Sequence, residues 1–118
     1  MLRAGGRTAY LTIHPAPGLD ARQRRRAHRD GPVAVACAVP NAELLRRAGF
    51  ADVTQLDRTA EFVATAEAWI TACDRHRDAL VELIGIDEFE QRQHERRVQL
   101  RAAGDGLLRR SLLTGVRP

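Results

Sequence analysis

Few residues of this 118-residue chain have the types and spacing that chemistry asks for. His14 closes an uncharged run, Thr8 to Ile13. An imidazole there can bind a substrate or take a proton from its nucleophile; a histidine ending a strand at the surface is the plainer account. Trp69 sits in a helical apolar stripe and lines either a pocket or the core. Cys73 and His76, three apart on one helix, permit metal ligation in principle. With no second pair nearby they read more simply as a buried thiol and a surface imidazole, so no metal site is expected. The segment Arg22 to Arg29 is the most basic in the chain and could contact phosphates. It lacks interleaved aromatic residues that would stack bases, and a solvated face accounts for it equally. Arg92, Arg96 and Arg97, with Glu88, Glu90 and Glu95, read as a charged helix face held by i, i+4 pairs. The substrate-side candidates are therefore His14 and Trp69.

Composition bounds the setting. The length fits one small domain. The formal net charge is +4, and all 19 basic side chains are arginine, with no lysine. Arginine and alanine enrichment without lysine fits the coding bias of a GC-rich genome, so the charge alone is weak evidence for nucleic acid. Cys37 and Cys73 are distant and suggest neither a disulfide scaffold nor a zinc motif, which favours a reducing cytoplasm. No signal-peptide pattern follows Met1, and no apolar run approaches the ~20 residues that span a bilayer.

The elements that must position those residues can be read from pattern. Gly5-Gly6 makes a tight turn, and Thr8 to Ile13 reads as a strand buried on both faces, ended by His14-Pro15. Pro15 to Gly18 is a loop, and Asp20 caps a short helix to about Arg29, which has almost no apolar face. Val33 to Val39 has no clear state. Asn41 is the expected N-cap of a helix through Ala48, with Gly49 at C′ and Phe50 packing back. Val53 to Leu56 alternates as a strand. Thr59 is expected to cap one long helix, about Ala60 to Ile84, whose stripe is Phe62, Ala66, Trp69, Ile70, Cys73, Leu80, Leu83 and Ile84. Gly85 ends it. Asp87 and Glu90 match a capping box for a helix over about Glu88 to Ala103, with a thin stripe of Phe89, Leu100 and Ala103. Gly104-Asp105-Gly106 turns into a final strand, Leu107 to Val116.

Four of these segments, in order, resemble class I S-adenosylmethionine-dependent methyltransferases. Leu2-Arg3-Ala4-Gly5-Gly6-Arg7 resembles the family's L-[RK]-P-G-G segment, with Ala4 in place of proline, which leads into the fifth strand of a seven-stranded sheet. Asn41 to Phe50 is similar to the helix of the L-L-x-x-A-G-F signature. Ala51 onward resembles the sixth strand, and Leu107 to Val116 the seventh, antiparallel one. The glycine-rich D-x-G-x-G-x-G loop and the ribose-binding acid of the family are absent. Gly5-Gly6 precedes its strand, whereas a dinucleotide-type loop follows one.

The resemblance implies an α/β fold: the C-terminal portion of a Rossmann-like methyltransferase sheet, about three strands with a two-helix insert. It divides as 1–59 (strands five to six), 60–104 (helical lid insert) and 105–118 (last strand). The implied activity is methyl transfer from S-adenosylmethionine to a small-molecule acceptor, the insert covering the substrate mouth at the carboxyl ends of the strands. The chain alone is expected not to bind the cofactor, because the residues that bind it are missing. The missing N-terminal sheet half would be supplied in cis or in trans, and a truncated gene, an internal start or a split protein would each explain the chain. The first strand would then leave a hydrophobic edge bare and make the chain marginally stable and prone to associate. The alternative reading is a small autonomous basic module that binds nucleic acid or a protein partner; nucleic acid and membrane are the less favoured partners.

Overall fold

A computed structural model describes residues 3–32 and 39–118. Leu2 and the stretch from Val33 to Ala38, with Cys37, lie outside the described residues. The elements run β1 (Arg7–Pro15), α1 (Ala21–Asp30), α2 (Asn41–Arg47), β2 (Ala51–Asp57), α3 (Thr59–Arg75), α4 (Arg77–Ile84), α5 (Ile86–Gly104) and β3 (Leu108–Val116).

The last strand lies in the middle. The sheet order is β1-β3-β2, with β3 antiparallel to both neighbours. β1 and β2 therefore point the same way although they do not touch. The glycine turn at Gly5 (φ +80°) brings Gly5 N–H to the Arg117 carbonyl at 2.7 Å, which sets the β1–β3 register from its first pair, Arg7 with Val116. β1 differs from the buried strand expected. None of its residues is fully buried, and Leu11 is about half exposed. The physical reason is that β3 covers only one of its edges, while Leu11 lies in an open groove beside α3 rather than under packed side chains. Pro15 is the last residue of the strand rather than its terminator: it pairs with Leu108, and Ala16 N–H continues the ladder to the Leu107 carbonyl. A proline is tolerated there because it sits at the end of an edge strand.

The helices follow their sequence signals, with four corrections. Asp20 caps α1 through a full capping box with Gln23. Ala27 gives α1 its one buried position, which is enough to seat an otherwise polar helix. Pro40, not Asn41, holds the N-cap position of α2, and Asn41 is its first helical residue. Its other end is as expected: Gly49 (φ +93°) and Phe50 donate to the carbonyls of Arg46 and Leu45, a Schellman arrangement. Phe50 then packs on Gly115, where an added Cβ would lie 3.2 Å from the Phe50 Cβ, so a side chain at 115 would require Phe50 to give by a few tenths of an ångström. The expected single helix from Thr59 is two, broken at His76, and Thr59 is its first residue rather than its cap. The insert is accordingly three helices, not two. No side-chain cap forms at α5: Gly85, in a left-handed conformation (φ +86°), occupies that position, and Glu90 instead pairs with Arg77.

The core sits where α1, α5 and the start of β3 converge. Ala27, Ala102, Ala103, Leu107 and Leu108 are buried together, with Ile13, Leu19, Phe62 and Val63 packed around them. Leu108 and Leu113 each contribute roughly 1.5–3 kcal/mol of transfer free energy; the alanines mainly permit close approach of the helices. A second contact holds the helical insert together. Gln93, 1% exposed, donates to the Ile70 carbonyl at 3.1 Å and to Asp74 Oδ1 at 3.0 Å, and accepts from Arg96 Nη1 at 2.9 Å. Both N–H donors and the oxygen of that buried amide are engaged, which is the condition for burying it.

Candidate functional site

Ligands of open α/β sheets lie outside the carboxyl ends of the parallel strands. Here those ends are His14-Pro15 of β1 and Asp57 of β2, with the start of β3 between them. The pairing sets which residues share a face. His14 opposes Arg109, while Thr12 and Asp57 oppose Ser111, and Gln55 opposes Leu113. Side chains directly opposed across a ladder point to the same side, and residues two apart in a strand do too. His14, Arg109, Ser111, Gln55 and Asp57 therefore form one polar cluster at the ligand-facing end of the sheet.

The cluster has a definite hydrogen-bond direction. His14 Nδ1 lies 2.9 Å from the Pro15 carbonyl, which can only accept, so Nδ1 carries a proton. In the neutral ring Nε2 is then an acceptor. It lies 2.7 Å from Ser111 Oγ, whose hydroxyl donates to it. Ser111 in turn accepts from Gln55 Nε2 at 3.3 Å. The chain of donors runs Gln55 to Ser111 to His14 to the backbone of Pro15, and it fixes the imidazole's tautomer and plane. Ser111 is 2% exposed, so it positions the histidine and is not itself open to a substrate.

Beside it Asp57 and Arg109 make a 2.6 Å ion pair. Asp57 is held down to about 2, first by the Thr59 hydroxyl, then by the Thr59 N–H at 2.8 Å, then by the Arg109 guanidinium. The same threonine links sheet and insert, because its Oγ1 accepts from the Arg110 N–H at 3.0 Å, while Arg58 N–H reaches the Arg110 carbonyl at 2.6 Å. The first turn of α3 is thus fixed to the middle strand at two consecutive backbone groups. On the opposite face of the sheet an open groove runs between α3 and the strands, lined by Leu11, Phe62, Thr65, Arg110 and Leu112, with Arg110 over the Phe62 ring at 5.6 Å.

The two substrate-side candidates are placed on different elements. His14 is half-buried in the polar cluster. Trp69 is on α3, 57% exposed, with the Arg96 guanidinium 5.7 Å from its ring. It is neither core nor enclosed pocket wall. Cys73 is a free thiol 3.8 Å from Arg96 Nη1, and His76 occupies the break between α3 and α4; among the described residues no group of metal-binding side chains is assembled. Only Arg92 of the α5 arginines makes the expected i, i+4 pair, with Glu88; Arg97 reaches across to Asp74 on α3. No helix among the described residues is long and apolar enough to cross a membrane.

Ser111, Gln55, Asp57 and Arg109 were not singled out by pattern. Their signal is long-range: Ser111 stands 97 residues from His14, and only the antiparallel register joins them. A serine between two leucine pairs at alternating spacing was the available hint, since a buried strand position with a hydroxyl needs a partner.

The chain matches no protein-family model and none of the characterised proteins whose sequences were compared with it. Its fold has clear relatives among solved structures. Phosphoethanolamine N-methyltransferase 2 of Haemonchus contortus, in complex with phosphomonomethylethanolamine and S-adenosylhomocysteine, superposes with a TM-score of 0.76 at 12% identity. The same protein is similar in its S-adenosyl-L-methionine complex, again with a TM-score of 0.76. A Galdieria sulphuraria protein designated a sarcosine dimethylglycine methyltransferase gives 0.77 at 10% identity. These matches cover 99% and 98% of this chain but only 27% and 43% of the respective relatives, so the chain spans less than half their length.

The loop after β1 is Pro15-Ala16-Pro17-Gly18, and at the start of α1 the Gln23 N–H donates to Asp20 Oδ1 at 2.8 Å. By its strand order, its antiparallel central strand and these superpositions, the chain has the fold of the C-terminal part of a class I S-adenosylmethionine-dependent methyltransferase.

Proposed function

We propose that this chain forms the substrate-side part of an S-adenosylmethionine-dependent methyltransferase acting on a small molecule. The carrying observation is the sheet: β1-β3-β2 with β3 reversed, three helices inserted between β2 and β3, and a polar cluster at the carboxyl ends of β1 and β2. Residues 1–59 and 105–118 then supply the sheet, and 60–104 the cover. Methyl transfer is a displacement at a sulfonium carbon, and it asks chiefly that the acceptor be held in line. His14, locked by Ser111 and Pro15, is the residue proposed to orient the acceptor. Trp69, on the insert, is the proposed outer contact.

In this reading the cofactor is bound by strands this chain does not contain, supplied in cis or in trans along the bare edge of β1. The free thiol at Cys73 suits a cytoplasmic setting. Two measurements test the reading. Titration calorimetry of the 118-residue chain with S-adenosylmethionine is expected to give no binding heat, and a saturable signal would refute the assignment of the cofactor site elsewhere. The intact mass of the protein captured from its source is expected to exceed that of this chain, or to include a second polypeptide; the longer species or complex should then transfer methyl groups.

A further inference from the structure

We propose that the exposed arginine stripe of α1 is a docking surface for the phosphate backbone of nucleic acid, separate from the methyl-acceptor site. Arg22, Arg25 and Arg29 are spaced i, i+3, i+7 and share one helical face. With Arg26, Asp105 and Leu107 they line an open groove of ≈ 730 Å³. The two carboxylates nearby are already engaged. Asp105 receives Arg26 Nη2 at 2.6 Å, and Asp30 is shared by Arg26 and Arg29 at 3.3 and 2.9 Å. Arg22 and Arg25 have no carboxylate partner among the described residues, and Arg29 is largely exposed. The stripe thus keeps net positive charge on one exposed helix face.

The shape of the groove chooses the occupant. A small-molecule pocket is concave, mostly apolar and encloses most of its ligand. This groove is open, and four of its lining side chains are arginines. The stripe spans about 10 Å along the helix axis, at 1.5 Å per residue. That matches successive phosphates of a polymer better than one compact anion. Guanidinium forks recognise phosphate oxygens, and nothing along the stripe stacks on a base. Recognition should therefore be independent of sequence and favour duplex over single strand.

The test is fluorescence anisotropy of the full 118-residue chain with a mixed-sequence duplex of about 20 base pairs, titrated at several salt concentrations. Three phosphate contacts give a slope of log K on log salt near −2.7, so affinity should fall about 20-fold between roughly 50 and 150 mM salt. Arg22→Gln and Arg25→Gln should each reduce the slope by about one. Arg47→Gln, which removes an arginine paired with Glu43 on α2, should leave it unchanged. Circular dichroism checks that each variant keeps its helix content. Absence of binding at the lowest salt, or a slope indifferent to Arg22 and Arg25, would overturn the proposal. So would full displacement of the duplex by stoichiometric pyrophosphate, which would make this a small-anion site.

Discussion

Gln93 is the most demanding residue in the helical insert, and a single-atom change at it is sharply predictive. Gln93→Glu keeps the shape and replaces the amide nitrogen by oxygen. In the native protein that nitrogen donates to the Ile70 carbonyl at 3.1 Å and to Asp74 Oδ1 at 3.0 Å. The substitution turns both hydrogen bonds into contacts between acceptors, at a position 1% exposed. The loss of two bonds, one to a charged group, costs about 2–3 kcal/mol. Burying an ionised carboxylate adds several more, partly offset by Arg96, which already donates to Oε1. Repulsion with Asp74 is discounted because that carboxylate is nearly half exposed and paired with Arg97. A total near 4 kcal/mol is expected at neutral pH. Gln93→Met, apolar and of similar volume, leaves its partners free to keep their other bonds and should cost only about 1–2 kcal/mol. The ranking is counter to intuition, since the polar replacement is the worse one. It also predicts a pH dependence of known sign. Burial and the neighbouring acceptors raise the introduced carboxyl's folded pKa above its unfolded value of about 4.3. Its protonated form can still donate one hydrogen bond. The penalty relative to wild type is therefore small below about pH 4 and grows as pH rises through the raised value. Urea denaturation of wild type and both variants at about pH 4 and 7.5 measures this. An equal cost for the two variants, or a penalty of the first that does not change with pH, would refute the assignment of Gln93 as a buried, fully donating amide.

Two further expectations concern the polar cluster. Ser111→Ala removes the donor to His14 Nε2 while the Nδ1 bond to Pro15 remains; the nitrogen-15 shifts of the ring should move from a single Nδ1–H tautomer toward a mixture, and unchanged shifts would show that Pro15 alone fixes it. Asp57, held at about 2, contributes stability that is fully present above its unfolded pKa and is lost as pH falls through about 2. Because the side chain is half exposed the contribution is under about 1 kcal/mol, so Asp57→Asn should lower stability slightly near neutral pH and abolish that part of the acid transition between roughly pH 4 and 2 in thermal melts.

How much of this was legible in the sequence depends on the range over which each signal acts. Local signals read well. The Gly49-Phe50 stop, the Asp20-Gln23 box, the Gly85 break and the final strand are each specified within a few residues. The misplaced caps share one cause: Asn41, Thr59 and Asp87 are good cap residues, but Pro40, the contacts of Thr59 with Asp57 and Arg110, and Gly85 fix the chain first. The break at His76 left no signature, because Cys73 through Leu80 keeps helical residue types throughout. β1 read as buried because composition reports what a strand tolerates, not what covers it. His14 was visible as a candidate; its partners were not, since Gln55 and Ser111 meet it only through the two registers of β3. Trp69, placed by periodicity on an inward stripe, faces Arg96 instead, as the α3–α5 contact rotates the buried line onto Ile70.

The position of the insert has a topological consequence. β2 and β3 are adjacent, antiparallel and hydrogen-bonded, the arrangement that a two-residue turn is enough to join. Everything from Thr59 to Gly104 is thus dispensable to connectivity, a graft into what is formally a hairpin. It is not dispensable to the interior, since Phe62, Val63, Ala102 and Ala103 come from the graft and close over Ala27 and Leu108. A lineage carrying this scaffold is free to exchange the middle of the graft, from Ile70 to Phe89, without touching the hairpin. Its first and last turns must be kept, because there the graft and the scaffold share one core.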